Sequence, residues 1–262
     1  LIVTDLLIWG GPVYCSTADK VEWLNPTVIS CKSLTGTANG DYYFSLKGQG
    51  SALDAIIAKA MAGEQPENIG IAGFSAFHNF ANPMLKDDTD RSRIAYIHLA
   101  DACFDGVGAT SPKQGYLAAA IEAIQGDKLM VSTTSGVPGV NVTYSKGGGG
   151  TFTHKNGHDS FKLVWDAALE ATGASEVDLE LPDLPAAPVW AKRAGNLIWL
   201  SYEQTIKHED HANLIAVPLM NYFGAPWMQG RDRPTWKEKV FGALPLLVVA
   251  AIVGAWMWVR RA

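Results

Sequence analysis

Ser75 stands in Gly73-Phe74-Ser75-Ala76. It comes after the apolar run Ile69-Gly70-Ile71-Ala72 and before Ala76-Phe77-His78-Asn79-Phe80-Ala81, which has helical character until Pro83. A serine on a sharp strand-to-helix turn has its hydroxyl pushed above the sheet edge. The N-terminus of the helix behind it can stabilise an oxyanion. This is the placement of a nucleophile for acyl transfer; the same pattern also suits a serine that caps a helix. A serine hydroxyl needs a base within hydrogen-bond reach and a carboxylate to orient that base. The carboxylates on offer are Asp101 and Asp105, after the run Ile94–Ala100. Asp101 lies at the carboxyl end of that run, whereas Asp105-Gly106 reads as a plain turn. The imidazoles are His208 and His211 in Lys207-His208-Glu209-Asp210-His211, between the last strand and an apolar helix. His211 directly precedes the helical run and is the preferred base. His208 is the alternative, and would otherwise be solvated with Glu209 and Asp210.

The remaining reactive side chains offer less. His78 follows Ser75 by three residues and reads as a packed histidine, and His98 lies within a strand. His154 and His158 flank a flexible glycine run, and Asn156-Gly157 between them argues loop, not a metal-binding helix face. His208 and His211 have a spacing seen in metal sites but no evident third ligand. Cys15, Cys31 and Cys103 are an odd number at no metal-like spacing, so neither a disulfide framework nor zinc is expected. No cofactor is expected. A nucleotide-binding domain is disfavoured because no Gly-x-Gly-x-x-Gly follows a strand.

The elements that must position these groups alternate along the chain. Strands are expected at Leu1–Trp9, Thr27–Cys31, Ile69–Ala72, Ile94–Ala100, Lys128–Thr134 and Asn196–Tyr202. Helices are expected at Ser51–Ala62, Gly115–Gln125, Asp159–Thr172 and Ala212–Phe223. Ser145–Gly157 reads as a lid or linker, and the proline-rich Leu181–Pro188 as a surface crossing. The alternation argues an α/β, doubly wound, mostly parallel sheet, with ligands beyond the carboxyl ends of its strands.

Through Gly73-Phe74-Ser75-Ala76, Asp101 and His208–His211, the chain resembles the α/β-hydrolase superfamily, in particular its serine esterase and lipase-like members. The resemblance covers Leu1 to about Phe223. It implies Ser75 as nucleophile, Asp101 as acid, His211 as base and the Ala76 N–H as oxyanion donor. A second donor would come from Leu34 or Thr35, in the loop after the second strand. Two departures stand out. Phe77 replaces the last small residue of Gly-x-Ser-x-Gly, and the acid sits one strand early, because Ser132-Thr133-Thr134-Ser135-Gly136 holds no carboxylate.

The 262 residues, 48% hydrophobic and 18% charged, suit one sizeable domain, and a net charge of −5 gives no basic footprint for nucleic acid. No charged n-region with a cleavage site is visible, so no signal peptide is expected. The chain divides into an α/β-hydrolase-like domain at 1–228, a charged connector at 229–239, an uncharged run at Val240–Val259 and a basic tail at 260–262. At about 1.5 Å per residue that run matches a hydrocarbon core of about 30 Å. Trp236, Trp256 and Trp258 suit interfacial belts, and Arg231, Arg233, Lys237 and Lys239 outnumber the two terminal arginines. The expectation is a membrane-anchored serine hydrolase cleaving an ester of unknown identity. Its single-pass C-terminal helix would lie in the lipid bilayer and its domain on the cytoplasmic side. The alternative is a catalytically degenerate hydrolase fold serving as a structural or docking subunit of a membrane or virion-like assembly.

Overall fold

Strands β1 (Leu6–Gly10), β3 (Ile69–Phe74) and β4 (Ile94–Ala100) are buried at nearly every residue, as strands roofed on both faces must be. The computed structural model describes residues 5–10, 27–30, 52–62, 64–145, 151–181, 183–203, 206–208 and 210–228. Together with β2 (Thr27–Ser30), β5 (Leu129–Ser135), β8 (Val177–Asp178), β9 (Trp190–Ala194) and β10 (Leu197–Tyr202), these strands form one eight-stranded sheet. Its order is β2-β1-β3-β4-β5-β10-β9-β8. The pairings from β2 across to β10 are parallel. After β1 the chain lays β2 on one side of it and β3 on the other. The carboxyl ends of β1 and β3 therefore border a topological switch point, where open α/β sheets bind ligands.

The period-two alternation of each strand sorts the core into two layers. Leu6, Ile8, Ile71, Ile97, Leu99, Met130 and Trp199 face four helices: α1 (Ala52–Ala60), α2 (His78–Lys86), α4 (Gln114–Ile124) and α5 (Gly157–Thr172). Leu7, Trp9, Ala72, Phe74, Tyr96, Val131, Leu200 and Tyr202 face the other way, against Ala212, Ile215, Leu219, Met220, Trp227 and Met228. These last residues belong to a continuous helical segment with two π-helical stretches, His211–Ala216 and Met220–Gly224. Trp227 anchors its end by donating from Nε1 to Ala95 O at 2.8 Å. Helix α2 runs through Pro83 to Lys86, with Met84 and Leu85 buried beyond the proline. A short helix, α3 (Asp88–Arg93), follows, its Asp87 cap accepting from Thr89 N and Asp90 N. Between β5 and α5, β6 (Val142–Ser145) and β7 (Thr151–His154) form a separate antiparallel ladder; β7 falls within Ser145–Gly157, the stretch expected to be a lid or linker, of which 146–150 lie outside the described residues.

The expected doubly wound, mostly parallel sheet with a membrane helix is corrected to a mixed α/β sheet. Strand β9 runs antiparallel to β10, and β8 antiparallel to β9. The cause is the two-residue turn Gly195-Asn196, which folds the chain straight back, whereas a parallel neighbour needs a crossover. Among the described residues no helix is long and apolar enough to cross a membrane. The single-pass anchor, the lipid-bilayer partner and the cytoplasmic placement are accordingly withdrawn. The run 240–259 on which they rested lies outside the described residues, as do the connector 229–239 and the tail 260–262. The apolar helical segment that follows β10 within them covers the sheet instead.

Candidate functional site

Ser75 is the first residue beyond β3 and has φ 53, a left-handed conformation that costs a non-glycine residue energy. It is half-buried and opens a 3-10 turn, Ser75–Phe77, that leads into α2. His78 locks the turn, its Nδ1–H donating to Ser75 O at 3.1 Å. Phe77 explains one departure from the expected pattern. Its ring packs on the bare backbones of Gly10 and Gly73, where a Cβ on either glycine would overlap it. The large residue thus fills a gap left by two missing side chains at the ends of β1 and β3. Ala76 contributes a backbone N–H at the start of this helical run, where the first N–H groups have no intrahelical acceptor. Leu34 and Thr35 lie outside the described residues.

Asp101 is the first residue beyond β4, the strand beside β3, and it too has a positive φ, 44. Its backbone N–H donates to Thr133 O at 2.8 Å, and its carboxyl is fully buried. Among the described residues three donors reach that carboxyl. Ser135 N–H donates to Oδ1 at 2.9 Å, Ser135 Oγ–H to Oδ2 at 2.5 Å, and His208 Nδ1–H to Oδ2 at 2.6 Å. Burial alone pushes the Asp101 pKa up, but the hydrogen bond from His208, the neighbouring His211 and His208 rings and the Ser135 hydroxyl outweigh it. The carboxyl is held below its ordinary value. His208 keeps 21% of its side chain exposed. Its ring lies between Phe74, at a centroid distance of 4.3 Å, and Phe104, at 5.6 Å. Phe74 immediately precedes Ser75, so the contact that wedges the imidazole also ties it to the turn.

His211 is arranged differently. It is fully buried, its Nδ1 hydrogen-bonds Thr133 Oγ1 at 3.0 Å, and its ring meets Tyr202 edge-on at 5.4 Å. Burial lowers its pKa. The structure therefore brings His208, and not His211, to the carboxylate of Asp101. Asp105 is committed elsewhere, in an ion pair with Lys113 at 2.8 Å.

The other reactive side chains are spent on structure. His98 pairs with Tyr96 OH at 3.1 Å, and burial with His211 nearby lowers its pKa to about 3. His158 Nδ1 meets Ser201 Oγ at 2.7 Å under Trp199. His154 Nδ1–H donates to Lys155 O at 2.5 Å and packs on Phe104. Burial pushes the Cys103 thiol well up, which makes it a poor nucleophile; Cys15 and Cys31 lie outside the described residues. Among the described residues no group of three His, Cys, Asp or Glu is placed to hold a metal ion.

Sequence reasoning missed Ser135, Phe74 and Phe104 as parts of the site, and Gly157, whose bare backbone passes so close to Asp101 Oδ1 that a Cβ there would overlap it. Only Ser135 left a trace, as the polar residue standing where an acid was sought and not found. No protein-family model matches the chain, and no curated protein matches it. The resemblance to the α/β-hydrolase superfamily is therefore withdrawn; what stands is an α/β fold with a mixed sheet. The membrane-anchored esterase is overturned with it, as are the ester substrate tied to that reading and the docking subunit of a membrane or virion-like assembly. Each rested on that family or on a spanning helix absent from the described residues.

Proposed function

We propose that the cluster at the carboxyl ends of β3 and β4 is the centre of a serine hydrolase acting on a carbonyl group, with Ser75 as nucleophile, His208 as base and Asp101 as the carboxylate that orients it. One observation carries the reading: His208 Nδ1 lies 2.6 Å from a buried carboxylate, beside a strained serine turn. With Nδ1–H donating to Asp101, the imidazole lone pair sits on Nε2, the tautomer a general base requires. Ser75 Oγ attacks the carbonyl carbon while His208 Nε2 takes the hydroxyl proton. The Asp101 carboxylate stabilises the imidazolium, and the Ala76 N–H donates to the oxyanion. Collapse of the tetrahedral adduct expels the leaving group, which takes the proton from His208. Water then attacks the acyl-serine with His208 again as base, releasing the acid and restoring the Ser75 hydroxyl.

A fluorophosphonate probe on the full chain tests this reading. Covalent labelling that maps to Ser75 and disappears in Ser75→Ala supports it. A folded wild-type chain that resists the probe, or labelling that survives Ser75→Ala, overturns it.

A further inference from the structure

We propose that Ser135 and Gly157 together form a seat that keeps the Asp101 carboxylate ionised and aimed at His208, and that both are positioning residues of the site. The inference rests on the reading of Ser75 as nucleophile but has its own geometry. A fully buried carboxylate is costly unless donors surround it. Of the three hydrogen bonds the Asp101 carboxyl receives among the described residues, two come from Ser135, one to each oxygen. Such a two-point grip fixes the plane of the carboxylate as well as its position. The height of the pair is set by the sheet: Ala100 pairs with Thr133 across β4 and β5, and Asp101 N–H donates to Thr133 O. The two strands therefore deliver Asp101 and Ser135 to the same rim.

Gly157 closes the seat from the other side. A Cβ there would overlap Asp101 Oδ1, and would stand 3.2 Å from Ser135 O and 3.3 Å from Ser135 N. Only glycine lets the first turn of α5 approach so closely. The helix is sixteen residues long, and its end is pinned by Asn156. Asn156 Oδ1 accepts from Asp159 N at 2.7 Å, and Nδ2 donates to Val137 O and Val140 O, each at 2.8 Å. The positive end of the helix dipole thus lies beside the carboxylate and favours its charged form. The titratable groups around Asp101 are His208 and His211 from beyond β10 and Cys103 from the loop after β4.

Ser135→Val and Ser135→Thr, two side chains of nearly one shape that differ in the hydroxyl, test the seat on the full chain. Labelling of Ser75 by a fluorophosphonate should slow about tenfold in Ser135→Val, the scale of one charge-assisted hydrogen bond, and return to near the wild-type rate in Ser135→Thr. Gly157→Ala should slow it at least as much. A second readout does not depend on Ser75: the downfield proton NMR resonance of His208 Nδ1–H should move upfield or vanish in Ser135→Val and Gly157→Ala, and persist in Ser135→Thr. If that resonance responds as stated while the wild type resists labelling, the seat holds and the reading of Ser75 fails. If Ser135→Val and Gly157→Ala leave the resonance where it stands in the wild type, the seat is overturned whatever the labelling does.

Discussion

The ring of Phe77 lies over the bare backbone of Gly73, in the space a side chain on that strand end would need. The turn at Ser75 is built around this contact. Its close approach comes from the missing side chains of Gly10, the last residue of β1, and Gly73, the last but one of β3, and the aromatic ring then seals the exposed backbone. Gly73→Ala should overpack this corner and destabilise the fold by about 1–3 kcal/mol. Combining it with Phe77→Ala should cost less than the sum of the two single changes, because losing the ring removes the overlap and the new methyl refills part of the space the ring leaves. Urea midpoints of the two single variants and the double variant check this; strictly additive losses would mean that the two residues do not share that space.

The two imidazoles beyond β10 should separate cleanly in function. His208→Ala removes the ring that donates to Asp101 and should lower the labelling rate of Ser75 by a factor of about 10²–10⁴, the range of a general base. His211→Gln should leave labelling within about threefold of wild type. It should lower the melting temperature, because it disturbs a buried ring bonded to Thr133. Rate and melting temperature on the same samples decide between the two assignments.

His98 makes the fold sensitive to acid. Its folded pKa is about 3 against an ordinary 6.5, because the neutral ring is buried. Between those values the unfolded chain binds the proton and the folded chain does not. Stability from this group is therefore complete above pH 6.5 and falls as the pH drops towards 3, by several kcal/mol at about 1.4 kcal/mol per unit. His78, His158 and His211 have lowered values and act in the same direction. Urea midpoints between pH 7 and pH 4.5 should show a shallower decline in His98→Phe than in wild type. Equal slopes would show that His98 is not kept neutral.

Away from the site, Glu122 neutralises two cations. Lys128 Nζ, almost wholly buried, lies 2.6 Å from it, and Arg91 Nε 2.8 Å. Glu122→Gln should cost about 2 kcal/mol, a value reduced from that of a fully buried pair because the carboxylate is a quarter exposed. Lys128→Met, which removes the buried charge, should cost less. Thermal melts of the two variants at low salt give the ranking.

Much of the frame could be read directly from residue patterns. The runs at Ile69–Phe74 and Ile94–Ala100 are apolar but for His98 because both faces are covered, and that pattern places Ser75 and Asp101 at strand ends. The choice between His208 and His211 was not legible. Both follow β10 within nine residues, and the contacts that separate them, Asp101 for one and Thr133 for the other, lie 107 and 78 positions away in the chain. Strand β9 escaped notice because Trp190-Ala191-Lys192-Arg193-Ala194 carries two cations and follows a proline-rich stretch. A run with that composition pairs only because a tight turn returns it alongside β10. Ser135 escaped because a supporting hydroxyl has no signature of its own.

Strand β8 has a consequence for how copies of this protein behave in concentrated solution. It is two residues long, and Asp178 within it is tethered to Lys192 of its neighbour at 2.7 Å. A margin so short and so charged gives a second molecule almost no ladder to continue. On that flank the sheet is terminated from within, which guards against the fibrous stacking that an unfinished β-edge invites.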